Sequence, residues 1–179
     1  LPESLPPEVS KRMRFAGLLD DTAAVLFDNV LYGISSAEAA TIDPVQRLIL
    51  HHGYASLHTA GLRKSAVHGS VIGIYAGLWA FDTFADTLRS STASYSGYTV
   101  TSASMSVCVG RLSFVLDLRG PCASFDTACS SSLVSSHVGI RGLESRECPS
   151  ALLVGVSMIF SPMATASIAL AGMTSVHGR

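Results

Sequence analysis

Between residues 122 and 160 the chain reads strand, helix, strand, and that order limits the fold more than any other feature. Residues 122–127 suit a short strand. Residues 129–146 carry Leu133, His137, Ile140 and Leu143 along one side at helical spacing, and that side is expected to be buried. Residues 151–160 form an apolar run of the kind that lies buried on both faces of a parallel sheet. Two such strands joined by a helix of this length make a βαβ unit, which places the chain in the α/β class.

Upstream segments agree. Asp43-Pro44-Val45-Gln46 supplies an N-cap, a proline at the first helical position and a Gln where a capping box needs one. Val45, Leu48 and Ile49 follow at helical spacing, and Gly61 is placed to end the helix. Residues 70–78 read as a buried strand and 103–116 as a helix, closed by Gly120-Pro121. Residues 79–101 are rich in Ser, Thr and Tyr without a regular period, which predicts a long surface excursion, part helical near 81–88. Residues 1–14, with Pro2, Pro6 and Pro7, read as an extended linker, and residues 15–42 as loop with a short strand or turn. One domain over residues 15–179 is expected.

Composition narrows the function classes. Apolar residues make up 48% of the 179 residues but charged residues only 14%, which excludes disorder and predicts that much of the surface packs against something other than water. The net charge of −1 offers no basic excess for a nucleic-acid backbone. Residues 148–178 carry no Asp, Glu, Lys or Arg, but the apolar run stops at Ser161-Pro162, short of the roughly 20 residues a spanning helix needs. Four cysteines without a C-x-x-C pair point to neither zinc nor a disulfide framework. Reduced thiols and no visible signal peptide suggest an intracellular setting, cytoplasm or an organelle such as a plastid. No G-x-G-x-x-G or Walker-type loop supports a nucleotide cofactor.

The segment Ser124-Phe125-Asp126-Thr127-Ala128-Cys129-Ser130-Ser131-Ser132-Leu133 is the candidate site. A strand ends, the chain turns through small residues, and a helix starts at or beside Cys129. The first turn of a helix offers free N–H groups and partial positive charge, which favours a thiolate nucleophile. The backbone N–H of Cys129 could also donate to an oxyanion on an attacked carbonyl. The bland alternative is a small buried hydrophobe, as most free cysteines are. Asp126 and Thr127 are expected to fix the turn. Trp79, Phe81 and Phe84 suit either a core or a partner or substrate surface.

Asp-Thr-Ala-Cys-Ser-Ser-Ser-Leu resembles the active-site segment of β-ketoacyl synthases, above all the ketosynthase domains of modular polyketide synthases. Further pieces resemble that family in order and spacing: Phe27-Asp28 with Tyr32-Gly33-Ile34-Ser35, then Ile42 to Leu48, then Gly110-Arg111-Leu112-Ser113-Phe114 with Leu118-Arg119-Gly120-Pro121. Gly155-Val156-Ser157, Ser161-Pro162, Ala171-Gly172-Met173-Thr174-Ser175 and Gly178-Arg179 complete the set.

The resemblance implies the first half of a thiolase-like α/β fold, a mixed sheet with helices on its faces. It implies that Cys129 is the acylated nucleophile and that its N–H is half of an oxyanion hole. An acyl carrier protein with its phosphopantetheine arm would deliver the acyl group, and a malonyl-type extender would lose CO₂ and attack it. The chain itself would bind no cofactor and no metal. The remainder of a ketosynthase domain, or other subunits, would be partners, and homodimerisation would use the strand leading to Cys129.

Two family histidines that support decarboxylation have no counterpart among His51, His52, His58, His68, His137 and His177. His137 is eight residues beyond Cys129, about 12 Å along a helix, and reads as a core or buried-interface histidine. His51 and His52 read as a polar helix face, and His58, His68 and His177 as loop or element-end residues. The family's opening strand, central in its first sheet, also has no counterpart, which predicts a gap or an unpaired edge. The alternative reading is therefore a catalytically incomplete ketosynthase-like chain serving as a structural subunit. Thiolase-type degradative chemistry is a third.

Overall fold

The computed structural model describes residues 5–20, 26–79, 98, 101 and 104–179. Its helices are α1 (Pro7–Arg12), α2 (Ser36–Ala39), α3 (Pro44–Thr59), α4 (Lys64–Val67), α5 (Met105–Val115), α6 (Ser131–Glu144) and α7 (Pro162–Leu170). The strands are β1 (Ile72–Leu78), β2 (Cys122–Phe125) and β3 (Ser150–Val156), and a 3₁₀ turn spans Ala128–Ser130. Of the expected excursion over 79–101 only residues 79, 98 and 101 are described, and its helical part near 81–88, with Phe81 and Phe84, lies outside the described residues.

The capping signals act locally as read. Asp43 Oδ1 accepts from the Val45 N–H at 2.8 Å, with Pro44 at the first helical position. Gly61, at φ +83°, ends α3 as the Leu62 N–H returns to the Leu57 carbonyl at 3.0 Å. Gln46 also reaches out of its helix: its Nε2 donates to the Thr101 carbonyl, and its Oε1 accepts from Arg111 Nε at 2.8 Å. Arg111 pairs with Glu38 as well, so a nearly buried guanidinium ties α5 to α2 and α3. Residues 7–12 are helical rather than extended. Pro7 is tolerated because it sits in the first turn. Arg12 Nη1 donates to the Thr174 carbonyl at 2.6 Å, which ties α1 to the chain beyond α7.

The sheet order is β2-β1-β3, and both pairings are parallel. Ile74 is opposite Cys122, and Ile72 to Leu78 runs alongside Ser150 to Val156. Of the expected gap or unpaired edge, the gap is not seen, because β1 pairs directly with β3. Among the described residues β2 and β3 are the two edges. The strand–helix–strand unit from β2 through α6 to β3 therefore crosses over β1.

β1 is buried along its whole length, and its alternation divides two layers. Ile72, Ile74, Ala76 and Leu78 face the main core with Ile49, Leu50 and Leu57 of α3 and Val109 and Leu112 of α5. Gly73, Tyr75 and Gly77 face the other way. There α6 packs on the sheet through its small residues: a Cβ added at Gly139 would strike the Leu153 side chain and crowd the Tyr75 ring, and one at Gly142 would strike the Tyr75 hydroxyl.

Two burial expectations change here: of the core and buried-interface readings of the His137 side, the core one fails within this chain, and the 151–160 run is not buried on both faces. Leu133, Ile140 and Leu143 of α6 face outward and are exposed, Leu133 by 73%, and His137 beside them is exposed too. The sheet-facing side is instead Ser131, Ser135, Gly139 and Gly142. The 151–160 run is a strand only over Ser150–Val156 and is partly exposed rather than buried on both faces, because helices cover β1 more fully than this edge. Apolar periodicity shows which side of an element avoids water. It does not show that the cover lies within the same chain.

Candidate active site

β2 ends at Phe125, and the chain reaches α6 through Asp126, Thr127 and the 3₁₀ turn that contains Cys129. The α-helix proper starts at Ser131, two residues beyond the thiol. The turn is tight because Ala128 adopts φ +56°, a left-handed backbone that L-residues with a side chain rarely occupy. Side chains hold it there. Asp126 Oδ1 accepts from the Ala128 N–H at 3.1 Å. Ser131 Oγ accepts from the Thr127 N–H at 2.8 Å and donates to the Ala128 carbonyl at 2.7 Å. Ser130 Oγ lies 2.8 Å from the Thr127 carbonyl and 2.9 Å from Thr127 Oγ1.

These bonds leave one group over. The N–H groups of Thr127, Ala128 and Ser130 are taken up by the Ser131 hydroxyl, the Asp126 carboxylate and the Thr127 carbonyl. Among the described residues, none accepts a hydrogen bond from the N–H of Cys129.

The sheet positions the helix start from below. A Cβ at Gly77 would lie 2.4 Å from the Ser131 carbonyl carbon and 2.5 Å from the Ser132 nitrogen. Only glycine lets β1 pass this close. The approach opens a cavity of about 720 Å³ at the C-terminal ends of β1 and β3, with Cys129 in its lining. Leu78, Trp79, Val156, Ala164, Ile168 and Met173 supply apolar wall, and among the described residues no charged side chain lines it. Trp79 thus belongs to the cavity wall. The α7 part of the wall was not assigned from sequence, although Ser161-Pro162 carries a helix-start signal: Ser161 Oγ accepts from the Met163 N–H at 3.1 Å, with Pro162 in the first turn.

The other thiols differ in setting. Cys108 and Cys148 are buried, Cys122 and Cys129 exposed. Burial, helped by the Asp43 carboxylate, pushes the Cys108 thiol up to about 12. Burial of the sulfur also raises Cys122, although the residue as a whole is exposed, and a hydrogen bond with Ser113 opposes the shift.

No histidine among the described residues lines the cavity. His137 points away from the sheet, His68 pairs with Asp117 at 3.3 Å, and His51 and His52 contact each other edge to face on α3. Among the described residues no group of three His, Cys, Asp or Glu side chains could hold a metal ion, and no helix is long and apolar enough to cross a membrane.

A parallel βαβ unit with a cysteine in the strand-to-helix turn, bordering an apolar cavity, defines part of a thiolase-like α/β fold. The family profile described as "Beta-ketoacyl synthase, N-terminal domain" matches residues 3–179, and the chain belongs to that family. It is 36% identical over 166 residues to "Probable polyketide synthase 1" of Dictyostelium discoideum, covering 93% of this chain and 5% of that protein. It is 40% identical over 149 residues to "Phenolphthiocerol synthesis polyketide synthase type I Pks15/1" of Mycobacterium bovis, covering 83% of this chain and 7% of that protein.

Among solved structures it resembles the ketosynthase from module 6 of the bacillaene synthase of Bacillus subtilis 168. The TM-score is 0.74 at 32% identity, over 91% of this chain and 26% of that one. The oxazolomycin ketosynthase domain OzmH KS7 of Streptomyces albus JA3453 matches with the same TM-score at 30% identity, over 92% and 28%. The chain thus spans about a quarter of the ketosynthase structures it resembles.

Proposed function

We propose that this chain is part of a ketosynthase that extends carrier-bound acyl chains, with Cys129 as the residue that carries the acyl group. The observation that supports it is a Cys129 N–H that no described residue engages, beside an exposed thiol at a cavity whose described lining is uncharged and largely apolar. The sulfur attacks the carbonyl carbon of an acyl thioester on the phosphopantetheine arm of an acyl carrier protein. The C–Sγ bond forms, and the carbonyl oxygen becomes an oxyanion that accepts a hydrogen bond donated by the Cys129 N–H. Collapse breaks the bond to the carrier sulfur, which leaves with the proton given up by Cys129. A malonyl-type thioester then loses CO₂, its carbanion attacks the acyl carbon, and the Cys129 sulfur is the leaving group. Groups outside this chain's described residues assist the decarboxylation.

The exposed apolar side of α6, Leu133, Ile140 and Leu143, is where the remainder of the ketosynthase packs in this reading, and β2, an edge strand among the described residues, is where a second copy adds. A thiol-directed inhibitor of condensing enzymes, applied to the complete protein, should modify Cys129. A folded protein left unmodified there would remove the reading.

A further inference from the structure

We infer that Ser131, together with Asp126, is a positioning residue for the acyl-transfer step: their side chains occupy the neighbouring N–H groups so that the Cys129 N–H alone is left to meet the acyl carbonyl. The inference rests on the proposed function and adds a cause for its geometry. Of four successive N–H groups in the turn, residues 127 to 130, three are engaged, two of them by the Ser131 hydroxyl and the Asp126 carboxylate. Ser131 is only 5% exposed, and its hydroxyl bonds on both sides, accepting from Thr127 and donating to the Ala128 carbonyl. Ser131 thus holds the 126–127 and 128–129 peptides while Asp126 holds the 127–128 peptide between them, and fixing the Ala128 carbonyl sets the direction of the N–H on the same peptide, that of Cys129.

A helix-capping serine would satisfy free N–H groups inside the helix it starts. Ser131 instead bonds backward, into the segment that precedes the thiol. Gly77 holds the Ser131 backbone against β1, so the clamp is referenced to the sheet rather than to a mobile loop. Without it Ala128 is free to relax to a right-handed backbone, and the Cys129 N–H turns away from the carbonyl oxygen that attack by Sγ would charge.

Two reactions of the same sulfur separate this role from a structural one. Acyl transfer from a hexanoyl N-acetylcysteamine thioester passes through an oxyanion; alkylation by iodoacetamide does not. In the complete protein, Ser131→Ala should slow hexanoylation of Cys129 at least about tenfold while alkylation stays within about threefold, since an oxyanion donor acts only on the former. Asp126→Ala should do the same at an exposed position, and Asp126→Asn, which keeps the Oδ1 acceptor, should restore the rate. Equal loss of both reactions, or loss of neither, overturns the inference. A wild-type protein that is alkylated but never acylated defeats the proposed function itself, and the inference with it.

Discussion

Ala128 bears the strain of the turn. Its left-handed backbone costs an L-residue roughly 1–2 kcal/mol, and the hydroxyl and carboxylate bonds around it offset that cost. Ala128→Gly should be at least as stable as wild type in urea denaturation, because glycine adopts this backbone freely. Ala128→Val places a β-branched side chain on the same backbone and should cost about 1–3 kcal/mol. Cys108 gives the residue scale a pH dependence. Its thiol ionises near 9 when unfolded and near 12 when folded. The unfolded chain therefore binds fewer protons between those values, and stability present below pH 9 is lost as pH rises toward 12. Tyr32 acts in the same sense, raised from 10.0 to about 12 by burial first and by Asp28 second. The denaturation midpoint should fall from pH 8.5 to about 11, and fall less steeply in Cys108→Ala.

At the scale of elements, the contact between β1 and the start of α6 sets the site. Gly77→Ala puts a methyl carbon 2.4 Å from helix backbone, which cannot rotate aside. It should lower stability by about 1–3 kcal/mol and change the alkylation rate of Cys129 while leaving Cys108 unlabelled. The elements themselves were legible. Asp43-Pro44 and Gly61 bound α3, and the alternation of β2, α6 and β3 follows from apolar runs broken by small residues. The orientation of α6 was not legible. Its apolar residues suggested a buried side, yet Gly139 and Gly142 let Tyr75 approach from the sheet, so the small side is the inner one. The turn was legible as a strand-to-helix junction at Cys129. Its clamp was not, because Ser130, Ser131 and Ser132 are alike in sequence and differ only in where their hydroxyls point.

At the scale of the molecule, family motifs spread along the chain made the fold class legible, and the profile match over residues 3–179 agrees. A gap or an unpaired edge was expected; β1 and β3 satisfy each other's backbone groups directly, and among the described residues the open edges are those of β2 and β3. The outward apolar side of α6 gives a whole-molecule prediction. In this chain alone, Leu133→Ser and Ile140→Ser should each change stability by less than about 0.5 kcal/mol, as exposed substitutions do. In the complete protein, where the proposed remainder covers them, each should cost about 1–3 kcal/mol. Equal small effects in both would argue that nothing packs there.

The most direct measurement follows an acyl group to its attachment point. The complete protein is incubated with an acyl carrier protein bearing a hexanoyl thioester on its phosphopantetheine arm, digested, and mapped by mass spectrometry. The account predicts a hexanoyl increment on the peptide containing Cys129 and its loss in Cys129→Ala. An acyl group found only on Cys122, or on no cysteine while Cys129 still reacts with iodoacetamide, would contradict it.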